Sequence, residues 1–187
     1  MNYNSQHYRR SIRLKEYDYS QPGWYYITIC TYNKKCLFGR IANSKMVLNE
    51  FGKIVNEEWQ KTKEIRRNID LDYYVIMPNH VHGIIIIEFN SDNVGANSYS
   101  PLQGNECIKN KLISTSRTIG AIVRGFKGSV TKRINELRNT PGSPVWQRNY
   151  YEHILRNEMD LYCTRNYIKN NAFKWELDDL FMEDKSR

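Results

Sequence analysis

The stretch from Leu71 to Phe89 restricts the fold more than any other part of this 187-residue chain. It reads as two extended segments joined by Pro78-Asn79, because proline cannot donate to a ladder and holds the residue before it in extended geometry. In the first segment Leu71, Tyr73, Val75 and Met77 alternate with Asp72, Tyr74 and Ile76, the two-residue period of a strand. The second, His80–Phe89, is apolar on both faces beyond His80 and His82, which predicts a strand in the middle of a sheet. Trp24–Tyr32, rich in aromatic and β-branched residues, predicts another strand, and Val145–Leu155 a fourth.

Helical spacing fills the intervals. Leu48, Phe51, Ile54, Val55, Trp59, Thr62 and Ile65 recur in steps of three and four, with Gly52 a local weakness. A second helix is expected to open at the caps Ser114-Thr115-Ser116 and to carry Ile119, Ile122, Val123, Phe126, Val130, Ile134 and Leu137 on one stripe. A third is expected from Asn157 to about Trp175. This order predicts an α+β fold, a ferredoxin-like antiparallel sheet with helices packed on one face. The organisation expected is a basic N-terminal arm over 1–21, one domain over 22–176 with a flexible Asn-, Ser- and Gly-rich loop at 90–111, and a tail over 177–187 that runs from acidic to basic.

Charge then narrows the class of partner. Lys and Arg number 28 against 20 Asp and Glu, a formal net charge of +8, and 13% of residues are aromatic. Cations can track phosphates and rings can stack on unpaired bases, so nucleic acid suits this surface. Residues 111–138 hold Lys111, Arg117, Arg124, Lys127, Lys132, Arg133 and Arg138 against Glu136 alone. Arg117, Arg124 and Lys127 are therefore candidate phosphate contacts, and Arg148 and Tyr150, beside Trp146 and Tyr151, candidate contacts to unpaired bases or phosphates. No apolar run approaches membrane-spanning length and the first residues lack a hydrophobic segment, so a cytoplasmic protein without a membrane partner is expected. Cys30, Cys36, Cys107 and Cys163 stand far apart with no C-x-x-C pair, which argues for reduced thiols and against a structural zinc site.

His80-Val81-His82 places two imidazoles on one strand face, where they can share a metal ion. The same spacing also suits two core or surface histidines. The segment Tyr74-Val75-Ile76-Met77-Pro78-Asn79-His80-Val81-His82-Gly83-Ile84 resembles the His-hydrophobic-His motif of the single-tyrosine HUH transposase superfamily, which is IS200-like, and especially the REP-associated tyrosine transposases. The resemblance extends in order through Gly23-Trp24-Tyr25-Tyr26-Ile27-Thr28, Trp146-Gln147-Arg148-Asn149-Tyr150-Tyr151-Glu152-His153-Ile154 and Asn166-Tyr167-Ile168-Lys169-Asn170-Asn171, roughly residues 22–175.

That resemblance implies a metal-dependent enzyme that nicks and rejoins single-stranded DNA, at hairpins or REP-like sequences, through a 5′-phosphotyrosine with a free 3′-OH. It selects Tyr167 among 14 tyrosines as nucleophile, and His80, His82 and Asn171 as ligands of Mg²⁺ or Mn²⁺. Ligand chemistry alone would also admit zinc. Leu161, Ile168, Ala172 and Trp175 form the stripe expected to be buried, with Tyr167 and Asn171 one turn apart beside it. Members of the family often carry Pro where this chain has Ala172, which bears on where the helix ends. For His153 a structural hydrogen bond is expected rather than a chemical role. A monomer is expected by the same likeness, a dimer being the alternative. A binding protein that does not cut, and a phosphodiesterase that uses water with Tyr167 structural, are the competing readings.

Overall fold

A computed structural model describes residues 17–88 and 118–182. Four strands, β1 (Gly23–Cys30), β4 (Ile69–Ile76), β5 (His80–Ile87) and β6 (Tyr151–Leu155), form an antiparallel sheet in the order β4-β5-β1-β6. With α1 (Glu50–Ile65) between β1 and β4, and α2 (Ile119–Leu137) between β5 and β6, the path is the βαββαβ of a ferredoxin-like fold. β5 lies at the centre, as its two-sided apolar composition predicts. A hairpin of β2 (Gly39–Ala42) and β3 (Lys45–Leu48) precedes α1. Its two-residue turn places Asn43 and Ser44 at φ of 50° and 58°, the left-handed pair whose twist suits a tight hairpin. A further helix, α3 (Glu158–Asn170), follows β6.

Strand alternation sorts the core into two layers. Tyr25, Ile27 and Ile29 of β1 and Val81, Ile85 and Ile87 of β5 face the apolar stripes of α1 and α2. Trp24, Tyr26 and Ile84 point the other way, toward Leu161 and Ile168 of α3. The helices expected on one face are thus α1 and α2, while α3 covers the face that carries His80 and His82. Gly83 lies in the first layer under Trp59, where a β-carbon would overlap the indole ring.

The even alternation read along β4 is corrected by a bulge. Leu71 pairs with Ile85 and Tyr74 with Gly83, which sets Asp72 and Tyr73 on one strand against Ile84 alone on the other, so Leu71 packs with Tyr74 and Ile76 rather than with Tyr73 and Val75. Both residues inside the bulge reach α3. Arg165 Nη2 lies 2.7 Å from Asp72 Oδ2, and Lys169 Nζ stands 4.5 Å from the centre of the Tyr73 ring.

Other boundaries shift for local reasons. α2 is capped by Thr118, whose side chain accepts from the Ala121 amide; the caps read at Ser114–Ser116 lie outside the described residues, as do Arg117 and the loop at 90–111. The strand read over Val145–Leu155 reaches the sheet ladder only at Tyr151, after an isolated bridge between Trp146 and Thr31. Lys127 Nζ donates to the carbonyls of Gln147 and Arg148 at 2.5 and 3.1 Å, so a side chain takes acceptors that a ladder would use. α3 stops at Asn170, not near Trp175, because two successive asparagines favour a helix end. The chain then folds back through a 3₁₀ turn at Trp175–Leu177.

Candidate metal centre

His80 and His82 occupy the first and third positions of β5, so both imidazoles project onto the face crossed by α3. They are 0% and 2% exposed, their ring centres 4.3 Å apart, and Trp175 packs 5.8 Å from the His80 ring as a lid against water. Burial disfavours the charged imidazolium. It holds His80 down to about 4, with the Asp178 carboxylate opposing the shift, and His82 well below its ordinary value, with His80 adding to the effect. Both rings are therefore neutral near pH 7, the state in which a ring nitrogen can ligate.

Hydrogen bonds decide which nitrogen is available. Nδ1 of His80 bonds Asn79 Oδ1 at 2.8 Å. Nδ1 of His82 meets Tyr26 Oη at 2.7 Å and Thr28 Oγ1 at 2.8 Å, both from the neighbouring strand. Nε2 of His80 is left without a hydrogen bond, and Nε2 of His82 faces Tyr167 Oη at 3.3 Å. One ligand atom from each of His80, His82 and Asp178 lies within 4.8 Å of the others, so these three residues could hold a metal ion. Two buried acceptors, His80 Nε2 and Asn171 Oδ1, have no hydrogen-bond partner, which suits a cation better than a neutral group.

The expected nucleophile and amide meet this cluster. Tyr167 Oη lies 3.3 Å from His82 Nε2 and donates to Asp178 Oδ2 at 3.2 Å. Asn171, 3% exposed, donates through Nδ2 to the same carboxylate oxygen at 2.8 Å. Burial and the carboxylate together raise the Tyr167 phenol to about 12, so the hydroxyl keeps its proton near neutral pH. Tyr167 remains 47% exposed, and its ring meets His82 edge-on at 5.2 Å. The structure thus brings His80, His82, Tyr167 and Asn171 together.

Asp178 was not among the residues read from sequence. It falls where a tail was expected, and the local signal is the run of acidic residues Glu176, Asp178 and Asp179 after Trp175; the long-range return of the chain carries the rest. Leu180, two residues on, donates its amide to Asp178 Oδ1 at 2.7 Å.

The residues read as DNA contacts lie elsewhere. α2 packs on the opposite face of the sheet, with Arg124 exposed on it. Lys127 and Arg148 line a groove of about 1010 Å³ between α2 and residues 141–148. Its lysines have partners: Lys127 holds two carbonyls, and Lys132 lies 3.9 Å from Glu136. Arg133 is engaged by Glu57 and Glu58 at 2.7 and 2.8 Å. Tyr150 donates to Glu152 at 2.6 Å, and His153 is exposed on β6, in register with Tyr26. No helix among the described residues is long and apolar enough to cross a membrane.

Fold and site together define a ferredoxin-like α+β protein with a His-His-Asp cluster, its two histidines buried, beside an accessible tyrosine. The chain is 45% identical over 177 residues to an uncharacterized protein of Haemophilus influenzae, across 95% of each, and it belongs to that protein's family. No family model matches it. Among solved structures it is similar to a REP-associated tyrosine transposase bound to a REP hairpin, at 17% identity and a TM-score of 0.49 over 87% of this chain and 74% of that one. It is also similar to a candidate transposase from Deinococcus radiodurans, at 12% identity and a TM-score of 0.40 over 84% of this chain and 95% of the other.

Proposed function

We propose that the protein nicks and rejoins single-stranded DNA, with Tyr167 as nucleophile and with His80, His82 and Asn171, joined by Asp178, holding Mg²⁺ or Mn²⁺. The observation that carries this reading is the Tyr167 hydroxyl lying 3.3 Å from His82 Nε2 and 3.2 Å from Asp178 Oδ2. A tyrosine that served only packing would not need its hydroxyl between His82 and the Asp178 carboxylate. The resemblance of the Met77–His82 and Asn166–Asn171 segments to single-tyrosine HUH transposases supports the same assignment.

When bound, a divalent cation draws charge from a phosphodiester and fixes its orientation for in-line attack. The protein supplies the rest. Tyr167 sits at the half-exposed margin of the cluster, where a phosphate can approach, while Trp175 closes the side of His80. Its phenolic oxygen forms the new bond to phosphorus as the bond to the 3′ oxygen breaks, and the phenolic proton ends on that leaving oxygen. The products are a 5′-phosphotyrosine and a 3′-OH, a covalent intermediate that conserves bond energy for rejoining. Hairpin strands are the substrate this reading favours, since an unpaired segment beside a stem can bend into the site. Arg124 and Arg148 are the exposed cations we assign to stem phosphates, with Lys127 and Tyr150 shaping the ground beside Arg148; Arg117 completes the set in sequence. The work would be done by a monomer on DNA in the cytoplasm.

The test is covalent trapping. A labelled hairpin strand incubated with the protein and Mn²⁺ is expected to give a band that resists denaturation, and none in excess EDTA. An adduct of equal yield with Tyr167→Phe would overturn the assignment.

A further inference from the structure

We infer that Asn79 is a positioning residue that sets His80 as a ligand and ties the segment bearing Asp178 to the same point; this rests on the cation reading above. Asn79 is 1% exposed, in the two-residue turn between β4 and β5, a turn closed by the Met77 amide donating to the His80 carbonyl at 2.8 Å. Its side chain makes three bonds. Nδ2 donates to the Leu180 carbonyl at 2.8 Å and to the Lys34 carbonyl at 3.1 Å, and Oδ1 meets His80 Nδ1 at 2.8 Å.

Those partners leave the amide one orientation. Two carbonyls can be satisfied only by the NH₂ end, since a flipped amide would set oxygen against oxygen. Oδ1 must then face the imidazole, and because it can only accept, the proton must be on His80 Nδ1. Nε2 is left with its lone pair, buried and without a hydrogen-bond partner, beside the Asp178 carboxylate. A ligating histidine whose other nitrogen is held by an acceptor is fixed in both tautomer and ring angle.

The bond to Leu180 does a second job. Asp178 and Leu180 are joined by an amide bond to Asp178 Oδ1 at 2.7 Å, so holding the Leu180 carbonyl holds the turn that presents the carboxylate. One buried amide therefore links the start of β5, the turn after β1 and the returning C-terminal segment. Alanine at this position would free all three while leaving every ligand side chain present.

The experiment reads the imidazole directly. Long-range proton–nitrogen correlation spectra of the metal-free protein are expected to show His80 protonated on Nδ1 alone. Asn79→Ala should lose that single form and bind Mn²⁺ about 10- to 100-fold more weakly. Asn79→Asp keeps an acceptor for His80 Nδ1 but sets its second oxygen against the Leu180 and Lys34 carbonyls, so it should return the Nδ1-protonated signature without retying the C-terminal segment. Wild-type His80 protonated on Nε2 would overturn the inference, and so would wild-type imidazole signals with wild-type Mn²⁺ affinity in Asn79→Ala. The wild-type spectrum needs no variant, so the test stands if Asn79→Ala does not fold. Failure of the wild type to bind Mn²⁺ would instead remove the cation reading, and the imidazole signature alone would then decide whether Asn79 sets His80.

Discussion

The hydroxyl of Tyr167 lies 3.3 Å from Nε2 of His82, so a side chain on α3 and one on the central strand meet at single-atom range. The contact depends on α3 crossing the face opposite α1 and α2, where the bulge in β4 anchors it through Asp72 and Tyr73. Because Tyr167 is 47% exposed, removing its oxygen leaves the core intact. Tyr167→Phe is therefore expected to fold and bind DNA like the wild type while cleavage and adduct formation fall to background. Gel assays of cutting and a thermal melt check the two halves separately, and wild-type cutting would remove Tyr167 from the reaction.

Loss of ligands should separate from loss of the nucleophile. His80→Ala and His82→Ala are each expected to weaken Mn²⁺ binding by more than the roughly 10- to 100-fold typical of outer-shell changes, and to suppress cleavage with it. Asp178→Asn keeps the size of the side chain but removes its charge, so Mn²⁺ affinity should drop while Tyr167 keeps a partner. Calorimetric titration with Mn²⁺ reads all three. Unchanged affinity in Asp178→Asn would take the carboxylate out of the ligand set.

Acid should destabilise the metal-free fold through the same histidines. His80 titrates near 6.5 when unfolded and is held to about 4 when folded, chiefly by burial, and His82 is displaced in the same direction. Between those values the unfolded chain binds more protons than the folded one, so stability rises with pH and is lost as pH falls from 6.5 toward 4. His80 alone would account for up to roughly 3 kcal/mol by the lower limit. Urea midpoints in EDTA are expected to be flat above neutrality and to decline through this window, less steeply in His80→Gln. A midpoint flat down to pH 4 would contradict the burial of neutral imidazoles.

What the chain discloses without coordinates follows from the range of the forces involved. Period-two patterning is local, so β5, its central place and the shared face of His80 and His82 were legible, as was the turn at Pro78-Asn79. The bulge in β4 was not, because inserting one residue changes pairing without changing composition. The β2–β3 hairpin was missed because its turn, Asn43-Ser44, lacks the glycine that marks most such turns. Asp178 reaches the site through contacts between distant parts of the chain, Trp175 on His80 and the Leu180 carbonyl on Asn79, that no local pattern encodes.

Gly83 tests the layer beneath the site. A β-carbon there would overlap the Trp59 ring, and Trp59 is itself wedged against Phe126 at 5.3 Å between ring centres. Gly83→Ala is expected to cost about 1–3 kcal/mol from overpacking, with some loss of Mn²⁺ affinity because His82 is its chain neighbour. Denaturant titration checks the first and calorimetry the second. A neutral substitution would mean that α1 can shift away from the sheet at no cost.

The last prediction concerns how DNA is held. Arg124 is exposed on α2 and Arg148 is exposed at the groove, whereas Lys127 and Arg133 are bound to carbonyls and to Glu57 and Glu58. Charge reversal at Arg124 or Arg148 should therefore weaken hairpin binding and flatten its salt dependence by about one phosphate contact each. Reversal at Lys127 or Arg133 should act mainly by lowering stability, since each change sets an anion against groups that now accept from a cation. Binding of a hairpin strand, an unstructured strand of the same sequence and a fully paired duplex, each across a salt series, separates these effects, and cleavage should be confined to the unpaired region. Equal cutting of all three substrates would sink the hairpin preference, and an unaltered salt slope in both Arg124→Glu and Arg148→Glu would move the DNA path away from α2 and the groove.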